Sequence, residues 1–205
     1  MGKIETDHTG SGGGITLSSD GTSLLLDGTA IGGGGASASD DLYIANPSSA
    51  TNPSATGTNA VAIGSGSVAS GQKTFAIGTD TDATGSFSFA IGQGAQATAN
   101  YNLAIGLNAV SSGERAVAIG NNSVTASASW STAIGNNSGN GGSQAVATGA
   151  MALGGSRASG TDSFAAAIAN NTSSYGAAGA NSVAIGQSAR SAQTNAVALG
   201  GNSLA

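Results

Sequence analysis

The sequence predicts an all-β fold, a parallel β-roll (a solenoid) of about ten coils of 14 residues each. Three observations support this prediction: a short motif returns at a fixed step, the abundant residues are small, and a glycine follows nearly every copy of the motif. A stack of thin coils suits such a sequence, because each coil contacts only its neighbours and needs few bulky side chains.

The composition separates a stack from the main alternative, disorder. Of the 205 residues 35 are Gly, 7% are charged and 4% are aromatic, so a single compact core has little to bury. Disordered chains usually carry high net charge or many prolines, and this chain has only two prolines. A repetitive stack is therefore favoured.

Charge and cysteine content exclude several classes of protein. The net charge is −5 and the five basic residues are scattered, which argues against a nucleic-acid partner. The chain has no cysteine, hence no disulfide framework, and no apolar run is long enough for a membrane helix. The first ten residues lack the apolar stretch of a secretory signal, so we expect any surface location to come through attachment to another component.

Three regions follow one another along the chain. Residues 1–31 are predicted to be an N-terminal attachment segment, with two short strands around the Asp20-Gly21 turn signal. Residues 32–56 are predicted to be a Gly/Ser/Pro-rich linker with an extended strand leading into the first coil. Residues 57–205 are predicted to form the β-roll.

The repeats align on the apolar residue before a glycine. Six of the nine steps between these residues are 14 long. The aligned positions are Ile63, Ile77, Ile91, Ile105, Ile119, Ile134, Thr148, Ile168, Ile185 and Leu199. The two longest steps predict surface insertions near 150–162 and 172–178. The glycine after the motif indicates a turn that needs positive φ or a close backbone approach.

The motif alternates apolar–Ala–apolar, which is the period of a β-strand with two distinct faces. The larger residues are predicted to fill the lumen as a core column: Val61, Ile63, Phe75, Ile77, Phe89, Ile91, Leu103, Ile105, Val117 and Ile119. The alanines are predicted to form an interface between identical chains: Ala62, Ala76, Ala90, Ala104, Ala118, Ala133, Ala147, Ala167, Ala184 and Ala198. The alternative is that alanine merely suits a cramped strand.

A third column, four residues before each aligned position, holds the most varied side chains. Its members are Asn59, Lys73, Phe87, Tyr101, Arg115, Trp130, Gln144, Phe164, Asn181 and Asn195. Stacked coils would line up Lys73, Phe87, Tyr101, Arg115 and Trp130 as a stripe suited to contacts with sugars or proteins. The alternative is that these residues brace a groove between chains.

No arrangement typical of catalysis is present, and we expect no enzyme activity, no metal site and no cofactor. The single histidine, His8, lies beside Glu5 and Asp7 in a polar segment that we interpret as a solvated terminus. Asp80 and Asp82 would gather six carboxylates in a threefold assembly and could then hold Ca²⁺, but the calcium-binding nonapeptide motif is missing.

The segments TNAVAIGSGS (58–67), RAVAIGNNS (115–123), NSVAIGQSA (181–189) and TNAVALGGNS (194–203) resemble the head repeats of YadA-like trimeric autotransporter adhesins. The resemblance covers about residues 57–205 and implies a left-handed parallel β-roll, three chains around a threefold axis, and surface attachment. The chain departs from that family in showing no signal peptide, no heptad stalk and no membrane anchor.

Two functions remain open at this stage. The N-terminal segment resembles structural proteins of marine tailed phages, so we expect a non-enzymatic, homotrimeric virion fibre. It would dock to other virion proteins through its N-terminus and contact a host-surface glycan or protein. The alternative is the head module of a bacterial adhesin at the cell surface. An ice-binding solenoid is disfavoured, because the threonines do not form flat rows.

Overall fold

Every strand of the described residues belongs to one of four β-sheets. The structure, a computed structural model, describes the strand residues 17–19, 24–26, 29–30 and 42–44, together with residues 51–121, 124–137, 141–166 and 174–205. Residues 1–38 and 39–205 form two separate units.

The N-terminal unit contains a three-stranded antiparallel sheet of Leu17–Ser19 (β1), Leu24–Leu26 (β2) and Thr29–Ala30 (β3). Ser19 pairs with Leu24, so the two strands predicted around Asp20-Gly21 are confirmed. The third strand was not anticipated, although Asp27-Gly28 is an equally good turn signal between β2 and β3.

The second unit is a parallel β-solenoid made of two sheets, one with eleven strands and one with ten, and the predicted all-β fold is confirmed. The larger sheet consists of Leu42–Ile44 (β4), Val61–Ile63 (β6), Phe75–Ile77 (β8), Phe89–Ile91 (β10), Leu103–Ile105 (β12), Val117–Ile119 (β14), Thr132–Ile134 (β16), Met151–Leu153 (β20), Phe164–Ala166 (β22), Val183–Ile185 (β24) and Val197–Leu199 (β26).

The smaller sheet consists of Ser54–Ala55 (β5), Val68–Ala69 (β7), Asp82–Ala83 (β9), Gln96–Ala97 (β11), Val110–Ser111 (β13), Thr125–Ala126 (β15), Gln144–Ala145 (β19), Arg157–Ala158 (β21), Gly176–Ala177 (β23) and Arg190–Ser191 (β25). Equivalent residues of successive coils pair in register, as Ala90 does with Ala104. Each coil therefore adds one strand to each sheet.

Two of the ten aligned positions were wrong. The strands of these coils are Met151–Leu153 and Phe164–Ala166, whereas Thr148 lies in a turn and Ile168 lies outside the described residues. The letters Val-Ala-Thr-Gly imitate the motif, but they follow β19 rather than form a strand of the larger sheet.

The first insertion lies elsewhere than the predicted 150–162, and the second overlaps the predicted span of 172–178. A hairpin of Asn136–Asn137 (β17) and Gly141–Gly142 (β18) lengthens one coil. The second lengthening lies between Ala166 and Gly176 and includes residues outside the described set. Residues 150–162 hold a coil of regular form with β20 and β21.

Alanine lines the interior of the roll. The residue in the middle of each fully described strand of the larger sheet after β4 is an alanine with at most 2% of its surface exposed. Alanines of the smaller sheet, such as Ala69 and Ala97, are equally buried. Hydroxyls fill the corners, where Thr74 Oγ1 donates to the Gly71 carbonyl at 2.8 Å and Ser88 Oγ donates to the Gly85 carbonyl at 2.6 Å.

This burial reverses the two predicted columns. The predicted core column of Val61, Ile63, Phe75, Ile77, Phe89, Ile91, Leu103, Ile105, Val117 and Ile119 lies on the outer face, half-buried or exposed. The predicted interface alanines Ala62, Ala76, Ala90, Ala104, Ala118, Ala133, Ala184 and Ala198 lie inside the same chain's roll. Of the remaining two, Ala147 lies in a turn, half-buried, and Ala167 lies outside the described residues. The physical reason is width, because a coil this short brings its two sheets so close together that the inward positions of the strands hold only small residues such as alanine and serine, whereas the corners also take Val124 and Asn102.

The glycine after the motif meets both predicted requirements. Gly78 has φ of 140°, and a Cβ there would lie 2.6 Å from the carbonyl oxygen of Gly92 in the next coil. Both observations favour glycine over a residue with a side chain.

Candidate surface-binding site

One turn position carries the varied side chains of the third column. It lies two residues before each strand of the larger sheet, and its backbone is left-handed, with φ of 58° at Phe87, 61° at Tyr101 and 62° at Trp130. The N–H of this residue donates to a carbonyl of the preceding coil, as Tyr101 does to Ser86 at 2.9 Å. These bonds hold the side chains in a row along the stack.

The five predicted stripe residues form one continuous ladder, which we call the aromatic ladder: Lys73, Phe87, Tyr101, Arg115 and Trp130. Lys73 Nζ lies 5.3 Å from the centre of the Phe87 ring, and the Phe87 and Tyr101 rings stack with centres 5.1 Å apart. Arg115 Cζ lies 5.0 Å from the Tyr101 ring and 4.8 Å from the Trp130 ring. The predicted contiguity is confirmed, and the binding role stays a hypothesis.

The backbone conformation of this turn does not favour aromatic side chains at this position. Left-handed backbone favours Gly, Asn and Asp and is costly for bulky residues. Other coils use the favoured types: Asn59, Gly149, Asp162, Asn181 and Asn195 all have φ between 52° and 68°. The bulky residues of the aromatic ladder are therefore explained by their side-chain contacts and not by the backbone.

The ladder ends at Trp130, because the next coil has Gly149 at this position. Gly149 N–H donates to the Ser129 carbonyl at 3.0 Å, and Asp162 N–H in the following coil donates to the Thr148 carbonyl at 2.9 Å. The sequence prediction put Gln144 and Phe164 in these places, because it counted back from Thr148 and Ile168. Aligning the repeat on Leu153 of the Met-Ala-Leu-Gly segment at 151–154, instead of on Thr148, places Gly149 four residues earlier, at this position.

The outer face of the larger sheet is apolar along its length. Its two outward columns are mainly Val, Phe, Leu, Met and Ile, and exposure reaches 41% at Phe89 and Met151 and 61% at Leu199. The Phe75 and Phe89 rings stack with centres 4.9 Å apart and planes 4° apart. A contiguous apolar face of this kind marks an interaction surface.

The outer face of the smaller sheet is mainly polar. Its outward column includes Asp82, Gln96, Gln144, Arg157 and Arg190. Burial raises the pKa of Asp82, and the nearby Asp80 carboxylate raises that pKa further. Within the described ranges no group of three or more His, Cys, Asp or Glu residues is placed to hold a metal ion. Those ranges also contain no helix with the length and apolar character that crossing a bilayer requires.

Fold and surface together define a class, the β-solenoid proteins that stack small-residue coils and display side chains in columns. A family model described as the YadA head domain repeat, in two copies, matches residues 55–81, 83–101, 103–123 and 177–203. The matched segments of this chain are therefore YadA head domain repeats, as the sequence motifs predicted. No curated protein matches the chain.

Proposed function

We propose that the chain is the head module of a trimeric adhesin, a non-enzymatic protein that attaches one surface to another. The observation that carries this proposal is the apolar outer face of the larger sheet, in a chain whose repeats belong to the YadA head family. The family points to adhesion, and its heads are typically homotrimeric.

The apolar face supports an assembly of identical chains. The roll closes on its own alanines, so the outward Val, Ile, Phe and Leu residues contribute nothing to the chain's own interior. Burying them against equivalent columns of other copies would remove a large apolar area from water. A cyclic arrangement of three chains would give every copy the same environment and leave the polar sheet outside.

The family match favours a bacterial cell surface over a virion as the location. The virion fibre expected from the N-terminal segment finds no support in the comparisons, which favour the adhesin alternative. We therefore propose a surface-exposed adhesin head whose partners are other copies of the chain and the surface to which it attaches.

Two measurements test the proposal. Sedimentation equilibrium of the full chain is expected to give the mass of three chains, and a folded monomer at micromolar concentration would contradict the assembly. Beads coated with the full chain are expected to adhere to cultured epithelial cells and isolated extracellular matrix in greater numbers than beads coated with albumin. Equal numbers on all these surfaces would contradict adhesion.

A further inference from the structure

The indole of Trp130 is bordered on one side by a gap. Arg115, in the preceding coil, covers one ring face, so the opposite face is directed toward the following coil. The residue in register there is Gly149, which has no side chain. Trp130 is accordingly 61% exposed, the most exposed aromatic residue among those described.

Asp162 forms the far side of this gap. It lies two coils beyond Trp130, which corresponds to about 9.6 Å between backbones at ~4.8 Å per coil. Its side chain leans back over Gly149, because a Cβ added at Gly149 would overlap Asp162 Oδ1. The carboxylate therefore lies near the level of Gly149, about one coil (~4.8 Å) from Trp130, so a flat ring stacked on the indole at about 3.5–4 Å would meet it at the ring edge.

Two polar groups at the gap lack partners. Neither the exposed Asp162 side chain nor the indole N–H of Trp130 makes a hydrogen bond within the described part of the chain. The gap thus presents an apolar ring face, a carboxylate that accepts hydrogen bonds and an N–H that donates one.

We propose that this gap, the Trp130 notch (Trp130, Gly149 and Asp162), binds one pyranose ring of a glycan. The C–H face of the sugar stacks on the free face of the indole, and sugar hydroxyls donate to the Asp162 carboxylate. The proposal rests on the adhesive function proposed above and names the class of its ligand.

A cationic ligand fits the notch less well than a sugar. One face of the electron-rich ring already stacks with Arg115, whose guanidinium also pairs with Glu114, so this ring has its cation–π contact within the chain. A sugar ring would use both features of the notch, the apolar indole face and the carboxylate, whereas an ammonium or guanidinium group would compete with Arg115 for the ring. The depth of the gap, a single missing side chain, also suits one ring better than a protein surface.

The test uses the full chain and two readouts. The first is a glycan array of neutral, N-acetylated, sialylated and uronic-acid oligosaccharides. The second is the fluorescence of Trp130, the single tryptophan of the chain, during titration with the array's best binder. We expect binding by the parent chain together with a blue shift or a change in intensity of its emission.

Three variants locate the site. Gly149→Asn fills the notch with a residue whose backbone conformation this turn accepts at Asn181 and Asn195, and its Cβ displaces the Asp162 carboxylate, so we expect affinity to fall by about tenfold or more. Asp162→Asn removes the charge and is expected to weaken binding by about tenfold, the worth of a charge-assisted hydrogen bond. The matched control Asn181→Gly opens a gap at another coil and is expected to bind as the parent chain does.

The remaining outcomes overturn the proposal. The proposal is wrong if no glycan on the array binds, or if Gly149→Asn binds as tightly as the parent chain. It is also wrong if only Lys- or Arg-rich peptides bind, or if Asp162→Asn loses the trimer. A blank array with adhering beads would refute the notch and leave adhesion standing. Sugar binding by a chain whose beads do not adhere would refute adhesion and leave the notch standing.

Discussion

The two sheets of the roll share one interior and differ in their outer faces. Inside, alanines of the larger sheet such as Ala90 and alanines of the smaller sheet such as Ala97 are equally buried. Outside, the larger sheet presents Phe89 and Ile91, whereas the smaller sheet presents Gln96. Because both sheets pack in the same way, the apolar outer face is not a requirement of the fold, and it points to a partner.

The largest expected effect comes from the shared interior. Ala90→Leu and Ala97→Leu should each destabilise the roll by about 3 kcal/mol or more, because a lumen lined by methyl groups cannot accept three extra carbons. Thermal unfolding followed by circular dichroism measures this loss. The matched control Gln96→Leu lies outside and should leave the midpoint nearly unchanged, and a tolerated Ala90→Leu would contradict the in–out assignment.

The outer apolar face should matter for assembly rather than for folding. Replacing Phe89 and Ile91 together by Ser removes apolar side chains worth about 3 kcal/mol or more per chain when buried against other copies. We expect sedimentation to show monomers that keep the β-sheet spectrum. The control Gln96→Ser on the opposite sheet should stay trimeric, and a trimeric double variant would place the interface elsewhere.

The turns that join the sheets should be the next most sensitive feature. Gly78→Ala is expected to cost about 2 kcal/mol or more, because positive φ strains an L-residue and the Cβ would overlap the Gly92 carbonyl. Gly200 has φ of 99° and no atom within 4 Å of an added Cβ, so Gly200→Ala reports strain alone. Equal losses in the two variants, measured by denaturant unfolding, would show that the close approach contributes nothing.

The aromatic ladder distinguishes a brace from a contact surface. Tyr101→Ser removes one ring stack and one cation–π contact, worth about 1–2 kcal/mol together if the ladder stabilises the coils. If the ladder is a contact surface, Trp130→Ser and Tyr101→Ser keep the trimer and lose adhesion in the bead assay. Dissociation of the trimer in these variants would identify the ladder as a brace between chains.

The smallest expected effect lies on the polar sheet and depends on pH. The pKa of Asp82 is raised in the folded chain, chiefly by burial and further by Asp80. The folded chain therefore holds this proton more tightly, and the free energy of unfolding should rise as pH falls from neutral through the raised pKa toward the ordinary value of 3.8. Asp82→Asn should be more stable than the parent chain at neutral pH, and its free energy of unfolding should no longer depend on pH in this range. Urea unfolding at several pH values measures both effects. Asp80→Asn should change the free energy of unfolding at neutral pH by less. If the stability of the parent chain did not depend on pH in this range, the raised pKa of Asp82 would be contradicted.

Much of the fold was predictable from local patterns. The 14-residue step from Ile63 to Ile119, the alternation around Ala62 and the glycine at Gly78 each follow from rules that act within one coil. The contiguity of the aromatic ladder followed from the same step. Gly149 and Asp162 were missed, because the Val-Ala-Thr-Gly letters imitate the motif and the hairpin before them changes the count.

The sequence by itself determined the period, the two faces of each strand and the columns that stack along the roll, because hydrophobic alternation and turn chemistry are local properties. Only the tertiary structure decided which face points inward. The separation of the two sheets sets the space between facing strands, and that space admits alanine and serine at the inward strand positions, while the larger apolar residues of the motif point outward. The same packing decided that Trp130 stands beside Gly149, since the neighbour of a side chain in a solenoid belongs to the next coil.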